Sequence, residues 1–176
     1  MQSYDYANRE GVERIGWERF GALAARLSEQ LADLGVDAVV GVARAGLFPA
    51  TAVACALRLD LFPARATRRV RDVVTYQRPV WVVDVAEGVA GRRVAVVDEM
   101  ADTGETLALV AARARARGAA SVFTASLVSH SWASPAPDVT AMVTDALVIF
   151  PWDRLVFEAG AWRPHPELAE ALGPQG

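Results

Sequence analysis

Apolar residues recur along the chain with two different periods, and the alternation between them outlines the elements. Trp17, Phe20, Leu23, Leu27, Leu31 and Leu34 fall at steps of three and four, so a helix is predicted over 17–34. Gly35 follows where a left-handed C-terminal cap belongs. Residues 37–42 form a short apolar run, a buried strand, which a Gly/Ala turn at 43–46 joins to a short buried helix over 49–57. Pro49 is tolerated there because it falls in the first helical turn. A second strand is predicted over 59–64, and the arginine-rich, aperiodic stretch 65–78 reads as a mobile loop or an exposed hairpin. Strands at 80–83 and 94–98 flank a turn at 88–91; a helix over 106–117 ends at Gly118; and strands follow at 121–128 and 147–150. Ser134-Pro135-Ala136-Pro137 interrupts the last of these connections.

Helices alternating with apolar strands predict an α/β fold, a doubly wound parallel sheet covered on both faces. The Pro-rich break sets off the C-terminal part as a small hood. The expected organisation is one domain over 1–176, with a core of about 15–130 and a hood of about 131–176. Ligands bind such sheets beyond the carboxyl ends of the strands, which draws attention to the ends after Val42, Val97 and Val128.

Composition narrows the chemistry. The 176 residues, 53% of them hydrophobic, suffice for one sizeable core. A net charge of −3 provides no basic footprint for nucleic acid. Arg44, Arg58 and Arg65 interrupt even the most apolar region, so no membrane span is expected. Met1-Gln2-Ser3-Tyr4-Asp5 lacks the basic and apolar blocks of a signal peptide. Cys55, the one cysteine, has no disulfide partner within the chain and suits a reducing, cytoplasmic setting; within its apolar helix it is expected in the core. With that cysteine and two histidines, His130 and His165, no structural-zinc pattern exists. All 18 basic residues are arginine, which excludes lysine Schiff bases and the lysine-dependent P-loop.

The most informative string is Val94-Ala95-Val96-Val97-Asp98-Glu99-Met100-Ala101-Asp102-Thr103-Gly104-Glu105-Thr106-Leu107. A buried strand runs into two adjacent carboxylates, then into a Thr/Gly/Thr turn, then into a helix. Unpaired amides at the helix start, with the Thr103 and Thr106 hydroxyls, suit a phosphate dianion, and Gly104 permits close backbone approach. Asp98 and Glu99 suit two vicinal hydroxyls or a share in holding Mg²⁺. A phosphate at one end and a diol at the other describe a ribose 5-phosphate.

This string resembles the phosphoribosyl pyrophosphate (PRPP) motif of type I phosphoribosyltransferases: four apolar residues, two acids, then Ala/Val-Asp-Thr-Gly-x-Thr. Gly41-Val42-Ala43-Arg44-Ala45-Gly46-Leu47-Phe48-Pro49-Ala50 looks like that family's pyrophosphate loop, and Phe150-Pro151-Trp152-Asp153 resembles the hood segment of xanthine-guanine and related 6-oxopurine enzymes. The resemblance covers about residues 15–155. It implies transfer of ribose 5-phosphate from PRPP to a free nucleobase, a purine, with release of pyrophosphate and with Mg²⁺ as cofactor. It further implies a homo-oligomer, a dimer or tetramer.

Residue by residue, the resemblance gives Asp98 and Glu99 the ribose and the metal, with Asp153 as a further metal contact from the hood. Ala101, Asp102, Thr103, Gly104, Glu105 and Thr106 would cradle the 5-phosphate; Arg44, Ala45, Gly46 and Arg154 would hold pyrophosphate. Asp102 matches the carboxylate that takes the proton from the purine ring, and His130, Leu147 and Val148 would meet the base. The stretch 68–78 would close over PRPP. Two departures concern the base. The lysine that reads the 6-oxo group in relatives is missing, leaving His130 as a substitute donor, and Leu147 stands where relatives carry a stacking aromatic. Two alternatives therefore stand beside purine transfer: a regulatory or orphan protein that binds PRPP or a nucleotide, and a transferase for a pyrimidine or other acceptor.

Overall fold

The unbroken apolar runs around Val40, Val96 and Leu127 form three neighbouring strands of one sheet, buried on both faces. The computed structural model describes residues 9–67, 69–70, 73–77, 79–166 and 168. Its elements in chain order are β1 (Val12–Arg14), α1 (Trp17–Asp33), β2 (Ala38–Val42), α2 (Leu47–Leu57), β3 (Asp60–Thr67), β4 (Arg69–Val70), β5 (Val73–Val74) and β6 (Val80–Val83). After a single 3₁₀ turn at Glu87–Val89 come β7 (Arg93–Ala101), α3 (Glu105–Ala116), β8 (Ser121–Ser129), β9 (Val139–Val143), β10 (Leu147–Ile149), β11 (Leu155–Glu158) and β12 (Ala161–Pro164). They fall into two units. One spans Gly21–Thr144; the other combines the terminal segments, up to Phe20 and from Asp145.

The larger unit contains the six-stranded sheet, in the order β6-β3-β2-β7-β8-β9. Alternating side chains divide its core between the two faces. Ala38, Val40 and Val42 of β2, with Val94 and Val96 of β7, pack with Leu107, Val110, Ala111 and Ala114 of α3. Val39, Ala95 and Val97 point the other way, onto Leu27 and Leu31 of α1 and Ala50, Val53 and Ala54 of α2. Full burial of Leu27 or Leu31 is worth about 1.5–3 kcal/mol each, so the periodic face of α1 is what fixes that helix to the sheet. The sheet is doubly wound, as the alternation of elements implied.

The structure corrects the sequence reading of the larger unit in three places. The sheet is not wholly parallel: β6 pairs with β3 antiparallel, at an edge. Residues 139–143, given no strand, form β9, which pairs in parallel with β8. The larger unit extends to Thr144. Cys55 is exposed, because the inner face of α2 is Ala50, Val53 and Ala54 and Cys55 falls outside that arc. Within the arginine-rich stretch, β4 pairs antiparallel with β5. Arg68, Arg71, Asp72 and Arg78, and with them the expected closure over PRPP, lie outside the described residues.

The smaller unit pairs β1 with β10 in parallel, Val12 opposite Leu147 and Arg14 opposite Ile149. β11 and β12 form an antiparallel hairpin. An aromatic cluster fills this unit: Phe150 stacks on Trp152 at 4.9 Å, and Phe20 meets the same indole edge-on at 5.5 Å.

Candidate active site

The chain leaves β2 for β3 on one side, while β7 lies on the other, so the carboxyl ends of β2 and β7 flank a topological switch point. The loop after β2 closes directly onto β7. A Cβ built on Gly46 would lie 2.5 Å from Asp98 Oδ1 and 2.9 Å from Asp98 Cα, so no larger residue fits there. The loop is fixed at its base by the Ala43 N–H, which donates to the Ala64 carbonyl at 2.8 Å. The Ala43–Arg44 peptide bond is cis, Arg44 is exposed at the loop and Ala45 is half-buried.

β7 delivers the two acids. Asp98 is 8% exposed, and its Oδ1 accepts the Glu99 N–H at 2.9 Å. Burial, and after it the neighbouring Glu99 charge, push the Asp98 carboxyl well above the usual carboxylate range. Glu99 is half-buried, and its Oε2 is buried with no hydrogen-bond partner among the described residues. Two carboxylates pressed together, one with an unmatched oxygen, call for hydroxyl donors or a cation. No group of three or more His, Cys, Asp or Glu gathers around a metal position among the described residues. A cation here would draw its other ligands from a bound molecule or water, the usual habit of Mg²⁺.

Ala101 ends β7 in the core, and the chain then turns through Asp102, Thr103 and Gly104 into α3. Gly104 has φ +82°, and a Cβ there would collide with the Pro135 carbonyl oxygen. The Ser134 N–H donates to the Thr103 carbonyl at 2.9 Å, so residues 134–135 brace the turn from outside. Thr103 Oγ1 accepts the Glu105 N–H at 3.4 Å. Thr103, Glu105 and Thr106 are exposed, at a helix start whose first amides have no partner within the helix. The turn is thereby shaped for an anion.

Asp102 belongs to a small constellation that the sequence did not reveal. His130, directly after β8, is 2% exposed, and its N–H donates to the Ala101 carbonyl at 3.1 Å. Its Nδ1 lies 2.6 Å from the Thr144 carbonyl oxygen, which can only accept, so Nδ1 carries the ring hydrogen. Nε2 is buried without a hydrogen-bond partner among the described residues, 3.9 Å from Asp102 Oδ1. Trp132 stacks on the imidazole at 4.3 Å and donates its indole N–H to that same Asp102 oxygen at 3.2 Å. The expected role of His130 as donor to a base carbonyl does not follow from this placement: in the neutral ring its hydrogen is engaged by Thr144, and Nε2 has only a lone pair. The Asp102 carboxylate itself is one-third exposed.

Of the predicted site residues, Arg44, Ala45, Gly46, Asp98, Glu99, Ala101–Thr106 and His130 all lie in the larger unit. Leu147, Val148, Asp153 and Arg154 lie in the smaller one. There Leu147 and Val148 are buried in β10, Asp153 is half-buried in a turn with its N–H on the Phe150 carbonyl at 3.1 Å, and Arg154 is exposed.

This architecture recurs in solved structures. A purine phosphoribosyltransferase from Pyrococcus horikoshii is 28% identical over 81% of this chain and 94% of its own, with a TM-score of 0.73. A xanthine-guanine-hypoxanthine phosphoribosyltransferase of Helicobacter pylori is 18% identical over 80% of this chain and 92% of its own, with a TM-score of 0.66. A hypothetical protein from Neisseria gonorrhoeae with bound ppGpp is 20% identical over 82% of this chain and 90% of its own, also at 0.66. The sheet is thus the type I phosphoribosyltransferase fold that the resemblance implied. The phosphoribosyl transferase domain model matches residues 12–158, and the chain belongs to that family.

Proposed function

We propose that the protein is a Mg²⁺-dependent pentosyltransferase that moves the 5-phosphoribosyl group of PRPP onto a ring nitrogen of a 6-oxopurine, with release of pyrophosphate, in cytoplasmic nucleotide salvage. One observation carries the reading: in the Asp98–Glu99 pair, buried Asp98 meets the Gly46 loop on one side, and the strand runs into the Gly104 turn on the other. Those three parts correspond to a diol, a pyrophosphate and a phosphate.

Asp98 and Glu99 accept hydrogen bonds from the two ribose hydroxyls. Residues 101–106 take the 5-phosphate on the amides of α3 and the Thr103 and Thr106 hydroxyls. Arg44, with Ala45 and Gly46, holds the pyrophosphate. Asp102 takes the proton from purine N7 as another ring nitrogen forms its bond to the anomeric carbon. Mg²⁺ fits the acid pair, because a cation would satisfy the unmatched Glu99 Oε2 and relieve the repulsion felt by Asp98. When bound, the metal makes the leaving pyrophosphate less basic. On the resemblance alone, Asp153 adds a metal contact and Arg154 a pyrophosphate contact, Leu147 and Val148 pack on the base, and the protein is a dimer or tetramer. The purine acceptor is supported by the family and by the likeness to the archaeal purine phosphoribosyltransferase.

A second reading, a PRPP- or nucleotide-binding protein without efficient transfer or a transferase for another acceptor, is favoured by the missing lysine and by the engagement of the His130 ring hydrogen. Pyrophosphate release and nucleotide formation should be measured with PRPP, Mg²⁺ and each of hypoxanthine, xanthine, guanine, adenine, uracil and orotate, with ppGpp binding measured alongside. Turnover with at least one 6-oxopurine is expected. PRPP binding without pyrophosphate release on any base would instead establish the regulatory reading, and turnover on a pyrimidine alone would change the acceptor.

A further inference from the structure

We propose that His130 is a positioning residue that acts through Asp102, accepting at Nε2 the proton that Asp102 removes from the acceptor base. The inference rests on the transfer reading above, which gives Asp102 a proton to move, and its geometry stands apart from that reading. A buried imidazole nitrogen without a partner is uncommon, because an unmatched buried polar atom is costly. Here the opposite nitrogen is committed to Thr144, so the lone pair at Nε2 is fixed in direction. The facing group 3.9 Å away is the Asp102 carboxylate, itself an acceptor when ionised. Two acceptors face each other, and what is missing between them is one proton.

Three further contacts hold this pair in place. The His130 backbone N–H on the Ala101 carbonyl ties the main chain at His130 to the residue preceding Asp102. The Trp132 ring covers one face of the imidazole, and its indole N–H fixes the Asp102 oxygen that faces Nε2. His130 is enclosed while Asp102 reaches solvent, so the proton's route from a ligand runs through the carboxylate.

The step balances without a further reactant. The ring nitrogen forms its bond to the anomeric carbon as the carbon–oxygen bond to pyrophosphate breaks and that electron pair leaves with pyrophosphate. The base's N7 keeps the electron pair of its N–H bond, and the proton passes to Asp102 and on to Nε2. An imidazolium–carboxylate pair results, with both ring hydrogens bonded, one to Thr144 and one to Asp102. This pair discharges its proton to solvent through Asp102 after product leaves.

The test uses the full chain and the acceptor base identified by the panel above. His130→Asn retains a donor near the Nδ1 position and removes Nε2; His130→Ala removes the ring; Trp132→Phe retains the stack and removes the indole N–H. His130→Asn and His130→Ala are expected to lower kcat about ten- to hundredfold, a share of what general acid–base catalysis supplies. The KM and Kd for PRPP should change less than twofold, and Trp132→Phe should lower kcat by a smaller factor. Added imidazole should restore turnover to His130→Ala, whereas pyrazole, of the same size but far less basic, should not. Equal rescue by both rings, or an unchanged kcat in His130→Asn, would reduce His130 to a packing residue and overturn the proposal. A second readout needs no turnover. In ¹⁵N-histidine-labelled protein, which has only two histidines, His130 should show an unprotonated Nε2 and a protonated Nδ1, and Asp102→Asn should perturb Nε2 selectively. The opposite tautomer overturns the proposal whatever the substrate. A wild-type protein that transfers to no base overturns the transfer reading, and this step with it, before any variant is made.

Discussion

Asp98 shows how far a single residue is shaped by its surroundings. Its carboxyl is desolvated, adjoins another acid and has its proton affinity raised, so ionisation works against the ligand-free fold. An acid whose folded-state pKa lies above its unfolded value loses stability as pH rises between the two. Asp98→Asn should therefore melt at the same temperature as the wild type or higher at neutral pH. Combined with Glu99→Gln, it should abolish Mg²⁺-dependent PRPP binding. Calorimetry and thermal melts on the same preparations check both halves; unchanged PRPP affinity in the double variant would remove these residues from the ribose site. The identities and adjacency of the two acids were legible in the sequence. That Asp98 is buried and Glu99 has an unmatched oxygen was not, since both depend on what the β2–α2 loop and the sheet bring against them.

At the scale of elements, the site consists of two strand–turn–helix connections, and in each the decisive position is a glycine. Gly104 couples a left-handed φ of +82° to contact with the Pro135 carbonyl, so Gly104→Ala meets backbone strain and collision together. Gly91, at φ +73° with nothing within 4 Å, meets strain alone. Gly91→Ala should cost about 1–2 kcal/mol, the usual penalty of a left-handed non-glycine residue, and leave PRPP binding intact. Gly104→Ala should cost more than that and weaken PRPP binding at least tenfold. Denaturant unfolding and PRPP titration of the two variants test the difference; equal costs would mean that residues 134–135 yield freely. The turn was legible in the sequence, because strand, acids, turn and helix are contiguous there. Its outer brace from residues 134–135 was not, because it comes from a different connection.

Across the whole larger unit, Asp84 ties the end of β6 to α3. Its carboxylate accepts from Arg113 Nε at 2.7 Å and from Arg117 Nη2 at 2.6 Å, and caps the Val85 N–H at 2.8 Å. These bonds, that of Arg113 foremost, hold its carboxyl well below the usual carboxylate range. With a depressed folded-state pKa, the contribution to stability is complete above the unfolded value near 4 and is lost as pH falls toward the folded one. Asp84→Asn should lower the melting temperature by a few degrees at pH 7, and the gap from the wild type should narrow at pH 3. A gap of the same size at pH 3 would show that the effect comes from lost packing and not from the charge. The antiparallel edge strand that this network secures had no signature in the sequence, since an apolar run such as 80–83 reads the same in either direction.

The sequence by itself determined the fold class and the strand–acid–turn–helix segment of the candidate site, because both are written in local order. Apolar periods distinguish helix from strand, and the string from Val94 to Leu107 contains its strand, acids, turn and helix without interruption. Only the tertiary structure decided the rest. It turned Cys55 outward, added residues 139–143 to the sheet, brought Gly46 onto Asp98, and set His130 and Trp132 against Asp102. Trp132 and Asp102 are separated by 30 residues, and no periodicity links them. They meet because β7 and β8 lie side by side in parallel, with Ala101 opposite Ser129, so both chains emerge at the same end of the sheet. A register between strands is a global outcome of packing, and the proton step proposed for this site depends on it.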